Sequence, residues 1–197
     1  MSAIPHPVLA TSNPLASLTW NWGVHNLMGD GTGDIPVGAY DSTRLANMGI
    51  GHGGVDGGAG YTYLNLTNGR EFSAVAGFTY NFENKETNHQ NGVDAHLDSG
   101  ASQFLSENLF VGVAGYLYHQ VSGDSGSGNK VGSFESRVSG VGPQLGYLFP
   151  VGHLQGFASL KAYWEFDAEH RASGHNFWLV SAISPAGSTA PELKAAE

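Results

Sequence analysis

Asp94, His96 and Asp98 are side chains of the types that bind divalent metals or relay protons. Their i, i+2, i+4 spacing places them on one face of an extended strand, opposite Val93, Ala95 and Leu97. A second row follows the same rule: Lys161, Glu165, Asp167, Glu169 and Arg171 share a face, with Ala162, Trp164, Phe166 and Ala168 on the other. Glu165 and Asp167 taken alone have the composition of an acid/base carboxylate pair, as in glycoside hydrolysis. Both rows also suit a wet wall, in which acids, imidazole and lysine satisfy one another or water and mixed charge tunes what passes. The second reading is the stronger, because no nucleophile elbow and no phosphate loop stands in its proper setting. Asp94, His96, Asp98, Lys161, Glu165, Asp167 and Glu169 are therefore read as lining a lumen. No residue is assigned to catalysis, to a metal or to a cofactor, and the chain is read as no enzyme.

Other motif spellings dissolve in context. Gly49, Gly51 and Gly54 spell a dinucleotide loop, but they run into the strand-like Val55–Tyr63 rather than opening a helix. With 17 acids against 8 bases the net charge is −9, the wrong sign for a nucleic-acid partner. The absence of Cys excludes disulfide frameworks, zinc knuckles and thiol catalysis.

The elements that position the two rows are strands. The 29 glycines and 11% aromatics suit strands and turns, and charged residues at 13% are half the usual share. No stretch reaches the roughly 18 apolar residues of a membrane helix. Period-two alternation runs through residues 16–28, 72–83, 93–102, 140–149 and 158–167, and less cleanly through Val55–Asn65, Leu109–Ser122 and Asn176–Ile183. This predicts about eight strands, most of about 10–16 residues. Outer-membrane strands need about 9–11 residues, whereas soluble ones average about 5–6. Connections alternate long (Gly38–Gly54, Asn84–Gly92, Gly123–Phe134) and short (Leu66–Gly69, Ser106–Asn108, Val151–Leu154), as in barrels with long outer loops and short periplasmic turns. Ala172–His175 is short where a long one is due. The pattern predicts an all-β, antiparallel up-and-down transmembrane β-barrel over residues 16–184. Residues 1–15 read as a disordered or non-native N-terminus and 185–197 as a disordered tail. The start lacks a basic, then apolar, secretory signal, so that signal is expected upstream.

Several strings resemble the bacterial outer-membrane family called meta-pathway of phenol degradation. They include Gly33-Asp34-Ile35-Pro36-Val37-Gly38-Ala39-Tyr40, Leu45-Ala46-Asn47-Met48-Gly49-Ile50-Gly51-His52-Gly53 and Phe78-Thr79-Tyr80-Asn81-Phe82-Glu83-Asn84. Gln90-Asn91-Gly92-Val93-Asp94, Gly142-Pro143-Gln144-Leu145-Gly146-Tyr147 and Tyr163-Trp164-Glu165-Phe166 extend the likeness over about residues 16–184. The resemblance implies a transporter or channel of the outer membrane associated with breakdown of aromatic compounds. Members of that family are typically longer, so the chain resembles a C-terminal portion. Gly29-Asp30-Gly31 departs from the apolar continuous strand expected there.

Lipid bilayer is thus the expected partner, a small apolar or aromatic solute the expected cargo, and passive uptake the expected function. Loop Gly38–Gly54 is the expected constriction over both polar rows. The alternative is a structural or ligand-binding barrel with a filled interior, since eight strands enclose little more than packed side chains. For either barrel, Phe72, Phe78, Leu97, Leu145, Leu160 and Trp164 are predicted to face outward.

Overall fold

The computed structural model describes residues 11–185. They form one antiparallel meander of nine strands, each paired with its sequence neighbours: β1 (Leu15–Trp22), β2 (His25–Asp34), β3 (Gly54–Asn65), β4 (Arg70–Asn81), β5 (Asp94–Phe104), β6 (Leu109–Gln120), β7 (Arg137–Val151), β8 (Leu154–Glu169) and β9 (His175–Pro185). There is no helix among the described residues. The sheet curls into a half-barrel; β1 and β9 are its edges and run in the same direction, because an odd count separates them.

The count is nine rather than eight because the alternating run at residues 16–28 is two strands. Gly23 and Val24 form a two-residue turn, and Trp22 faces His25 across it. Gly23 has φ 61°, the left-handed value that such hairpin turns demand and that glycine adopts without a steric penalty. The turn also reverses side-chain parity. Met28, grouped with Trp20 and Trp22 by its spacing, sits instead opposite Thr19 and Gly60 on the other face. Gly29-Asp30-Gly31 belongs to β2, and the Trp20 ring lies 3.9 Å from where a Gly29 side chain would begin.

This extra strand adds one short turn and keeps the alternation of ends, while the connection 170–174 stays short among the long ones. Residues 23–24, 66–69, 105–108 and 152–153 make short turns at one end; 35–53, 82–93, 121–136 and 170–174 make the other end. Strand β1 begins with Leu15, and Ser12 bridges to Ile35, so residues 12–15 are held against β2 rather than disordered. Residues 1–10 and 186–197, covering the rest of the two expected disordered ends, lie outside the described residues.

Side chains are distributed inside out. The apolar residues Leu18, Trp20, Leu27, Phe72, Phe78, Val113, Leu117, Leu145, Leu160, Trp164, Phe177 and Leu179 are all exposed. The register places them together on the convex face, since directly paired residues point the same way. Among the buried residues, Ser102, Gln120, Gln144 and Ser159 lie with Ala114, Val138 and Tyr163 on the concave face, and Asn84 lies in connection 82–93.

Candidate functional site

The concave face is assembled by register alone. Asp94, His96 and Asp98 of β5 stand opposite Thr79, Gly77 and Val75 of β4 and opposite Gln120, Tyr118 and Tyr116 of β6. Lys161 of β8 lies between Gln144 of β7 and Trp178 of β9, and Glu165 stands opposite Gly140. The two polar rows read from sequence thus lie on one continuous surface, with β6 and β7 between them.

Three acids there, Asp94, Asp56 and Glu165, are held by different partners. Asp94 accepts hydrogen bonds from Asn81 Nδ2 (2.8 Å) and the Tyr118 hydroxyl (2.6 Å). His96 Nε2 lies 2.9 Å from Asp56 Oδ2, and Thr79 Oγ1 donates to the same oxygen at 2.6 Å. Glu165 accepts from the Tyr116 hydroxyl, from Asn176 Nδ2 at 2.7 Å and from the Gly174 backbone N–H at 2.7 Å. Between the rows Asp98, Tyr116, Lys161, Tyr163, Glu165, Arg171 and Trp178 line a cleft of about 540 Å³. Among the described residues no group of His, Asp and Glu is placed to hold a metal ion.

Glycine makes the close approaches. The ring of His96 lies over Gly77, that of Tyr116 over Gly140 and that of Phe110 over Gly146. A Cβ at these positions would come within 2.7, 2.4 and 2.1 Å of the ring atoms. Rings laid flat on neighbouring glycines cover backbone that would otherwise be bare, and leave the middle of the concave face open.

Two residues of the second row are not on this surface. Asp167 has φ 51°, and β8 carries an extra residue there: Ser139 pairs with Phe166, but Arg137 pairs with Glu169. One added residue moves every later side chain to the other face. Glu169 therefore aligns with Arg137, on the parity of the convex residues Ser139 and Val141. Both acids reach the Arg137 guanidinium, Asp167 at 3.4 Å and Glu169 at 3.1 Å. The lumen-lining reading of Asp167 and Glu169 is corrected accordingly. Arg171 lies in the connection after the bulge and folds back over the Tyr118 ring, 4.7 Å from its centre.

Sequence reasoning did not assign Asp30, Asp56 or Glu71 to this face. Asp56 lies in the stretch whose alternation is blurred by Gly57, Gly58 and Gly60, which carry no side chain to mark a face. Asp30 lay beyond the unseen turn at Gly23. Their register partners put them with Asp94 and Asp98: Asp30 faces Gly58, Asp56 faces Thr79, and Glu71 faces Ser102.

The long connections form a second polar network at one end. Asp124 accepts from Gln120 Nε2 (2.6 Å) and from the Gly92 N–H (3.1 Å), with His89 Nε2 3.5 Å away. Gln90 and Ser125 exchange two backbone hydrogen bonds. Connection 35–53 joins by Ser42 N–H to Glu86 (3.1 Å) and by Asn84 Nδ2 to the Ile50 carbonyl (3.5 Å). Its side-chain hydrogen bonds thus run within itself and to connection 82–93, not to the two polar rows over which the sequence placed it. Within this connection the Asp41 carboxyl is held below the usual carboxylate range by hydrogen bonds from the Thr43 hydroxyl and N–H.

No curated protein and no solved structure matches the chain. Residues 11–180 match the model of the family described as "Putative MetA-pathway of phenol degradation", and the chain belongs to that family.

Proposed function

We propose that the chain forms the wall of a passive channel in the bacterial outer membrane, taking up small apolar or aromatic solutes. The observation that carries this reading is the inside-out sheet. A continuous convex band of exposed Leu, Val, Phe and Trp backs a concave face of Asp, His, Lys, Glu and Tyr. A soluble protein rarely exposes so wide an apolar surface, whereas lipid requires one. Aromatic side chains gather toward both ends of the convex face, Tyr63, Tyr147 and Phe149 by the short turns and Tyr80, Trp164 and Phe166 by the long connections. That is the arrangement of interfacial girdles. An up-and-down bacterial barrel has an even strand number, so closure of this nine-stranded sheet takes an odd number of further strands. Membership of a family tied to phenol degradation supports an aromatic cargo. The side chains of the concave face act by position and charge, without catalysis, and the partners are lipid and solute rather than nucleic acid.

Reconstitution of the full-length protein in planar bilayers tests the reading. It should conduct with a preference for cations, because Asp30, Asp56, Glu71, Asp94, Asp98 and Glu165 face Lys161 and Arg171 across the same surface. Correctly inserted protein without conductance would instead favour a closed barrel with a filled interior.

A further inference from the structure

Toward the short-turn end of the concave face a second cleft of about 350 Å³, a size typical of ligand sites, opens below Lys161. Phe104, Phe110 and Phe157 form one side: the Phe110 ring stacks on Phe157 (centroids 6.2 Å apart, planes at 13°) and tilts against Phe104 at 5.3 Å. Ser159 lines the same cleft and is 2% exposed, yet its Oγ has no hydrogen-bond partner among the described residues. It stands directly opposite Gly146, the glycine over which the Phe110 ring lies, so the unpaired hydroxyl sits beside that ring. The neighbouring hydroxyl is not in this condition, because Gln144 Nε2 donates to Ser102 Oγ at 2.8 Å.

A buried hydroxyl left unpaired costs the desolvation of a polar group, and native structures seldom keep one without a partner that comes and goes. Here the partner has to fit against three phenyl rings, and Glu71 and Asp98, which line the cleft with Lys161, set two carboxylates against one ammonium and disfavour an anion. We propose that the cleft is a binding station for a small neutral aromatic carrying a hydroxyl. Its ring lies against Phe104, Phe110 and Phe157, and its hydroxyl exchanges a hydrogen bond with Ser159 Oγ. The station rests on the concave face being the solute path, but it is tested by binding, without transport.

The probes are 4-fluorophenol and fluorobenzene, followed by fluorine NMR titration of the full-length protein in lipid nanodiscs, with empty nanodiscs as the blank. The phenol should bind about tenfold more tightly than fluorobenzene, the size of one hydrogen bond in a dry site. Ser159→Ala should erase that difference by weakening the phenol alone, while stabilising the unliganded protein by removing the orphan hydroxyl. Phe157→Leu should weaken both probes together. Equal affinity for the two probes in the unaltered protein would mean that Ser159 holds only water, and would overturn the station without recourse to any variant. A difference that survives Ser159→Ala would overturn the hydroxyl's role. Conductance without the affinity difference removes the station and leaves the channel; the difference without conductance does the reverse.

Discussion

His96 Nε2 lies 2.9 Å from Asp56 Oδ2 although β5 and β3 do not pair with each other. The two side chains meet across β4, over Gly77, which stands opposite His96 on one side and Gly58 on the other. A Cβ at Gly77 would lie 2.7 Å from His96 Nε2 and 3.0 Å from the Gly57 carbonyl oxygen, one of them fixed backbone. Gly77→Val should therefore push the imidazole off Asp56 and cost about 1–3 kcal/mol by overpacking. Urea unfolding of the lipid-reconstituted protein measures the loss. A substitution that costs nothing would show that the His96–Asp56 contact does not depend on the bare backbone between them.

The convex and concave faces should answer oppositely to charge. Leu160→Arg places a guanidinium on the convex face and should cost up to about 2–4 kcal/mol, the penalty for a charged side chain facing the middle of the lipid. Asp98→Arg, on the concave face and already exposed to solvent, should change stability by less than about 0.5 kcal/mol. Equal costs at the two sites would remove the case for lipid outside and water inside.

Ion selectivity should separate Glu165 from Asp167, two residues apart on one strand. Asp98→Asn and Glu165→Gln should each lower cation preference, read as a shift of reversal potential in planar bilayers. Asp167→Asn should leave it unchanged, because the bulge turns that carboxylate toward Arg137. A shift with Asp167→Asn as large as with Glu165→Gln would place the bulge residue back in the solute path.

Solute charge offers an independent measure of the same face. A neutral aromatic should enter proteoliposomes faster than a benzoate-like anion, and the gap should narrow as salt rises and screens the acids. Swelling or uptake rates at two ionic strengths give the comparison; a gap that is insensitive to salt would assign the discrimination to size rather than charge.

The network of the long connections should fail at Asp124. Asp124→Ala leaves the Gly92 N–H without its acceptor, while Gln120 Nε2 keeps the Ser122 and Phe134 carbonyls, and it severs connection 82–93 from 121–136 at this point. Limited proteolysis between residues 121 and 136 should quicken, and exchange of the Gly92 amide should rise about tenfold, the loss of one charged hydrogen bond. Strand amides such as Leu117 should keep their protection.

Period-two alternation is a local property of the chain, and what depended on it was readable from the residues in order. Alternation alone puts Phe72, Phe78, Leu97, Leu145, Leu160 and Trp164 on the apolar face of their strands, and they share the convex face in the sheet. The same rule put Asp94, His96, Asp98, Lys161 and Glu165 together on the other side. Alternation fails where parity changes without a change of composition. Trp22 and Val24 are both apolar, so the Gly23 turn between them passed as continuous strand; Glu165, Asp167 and Glu169 are all acids, so the bulge that turns the last two away left no mark.

Which side chains touch was decided by tertiary structure alone. Asp56 and His96 are 40 positions apart, and Tyr116 and Glu165 are 49. Their meeting depends on the register of intervening strands and on glycines at Gly77 and Gly140 that allow the rings to lie flat. Neither is encoded in the neighbours of any one residue. The unpaired hydroxyl of Ser159 belongs to the same class: a serine in an alternating strand is ordinary, and only the rings brought to it by β5, β6 and β8 close off its other partners. The chain's own order determines which residues take the convex face because facing is settled one strand at a time. Its site is settled by neighbours across strands, and those exist only once the sheet has formed.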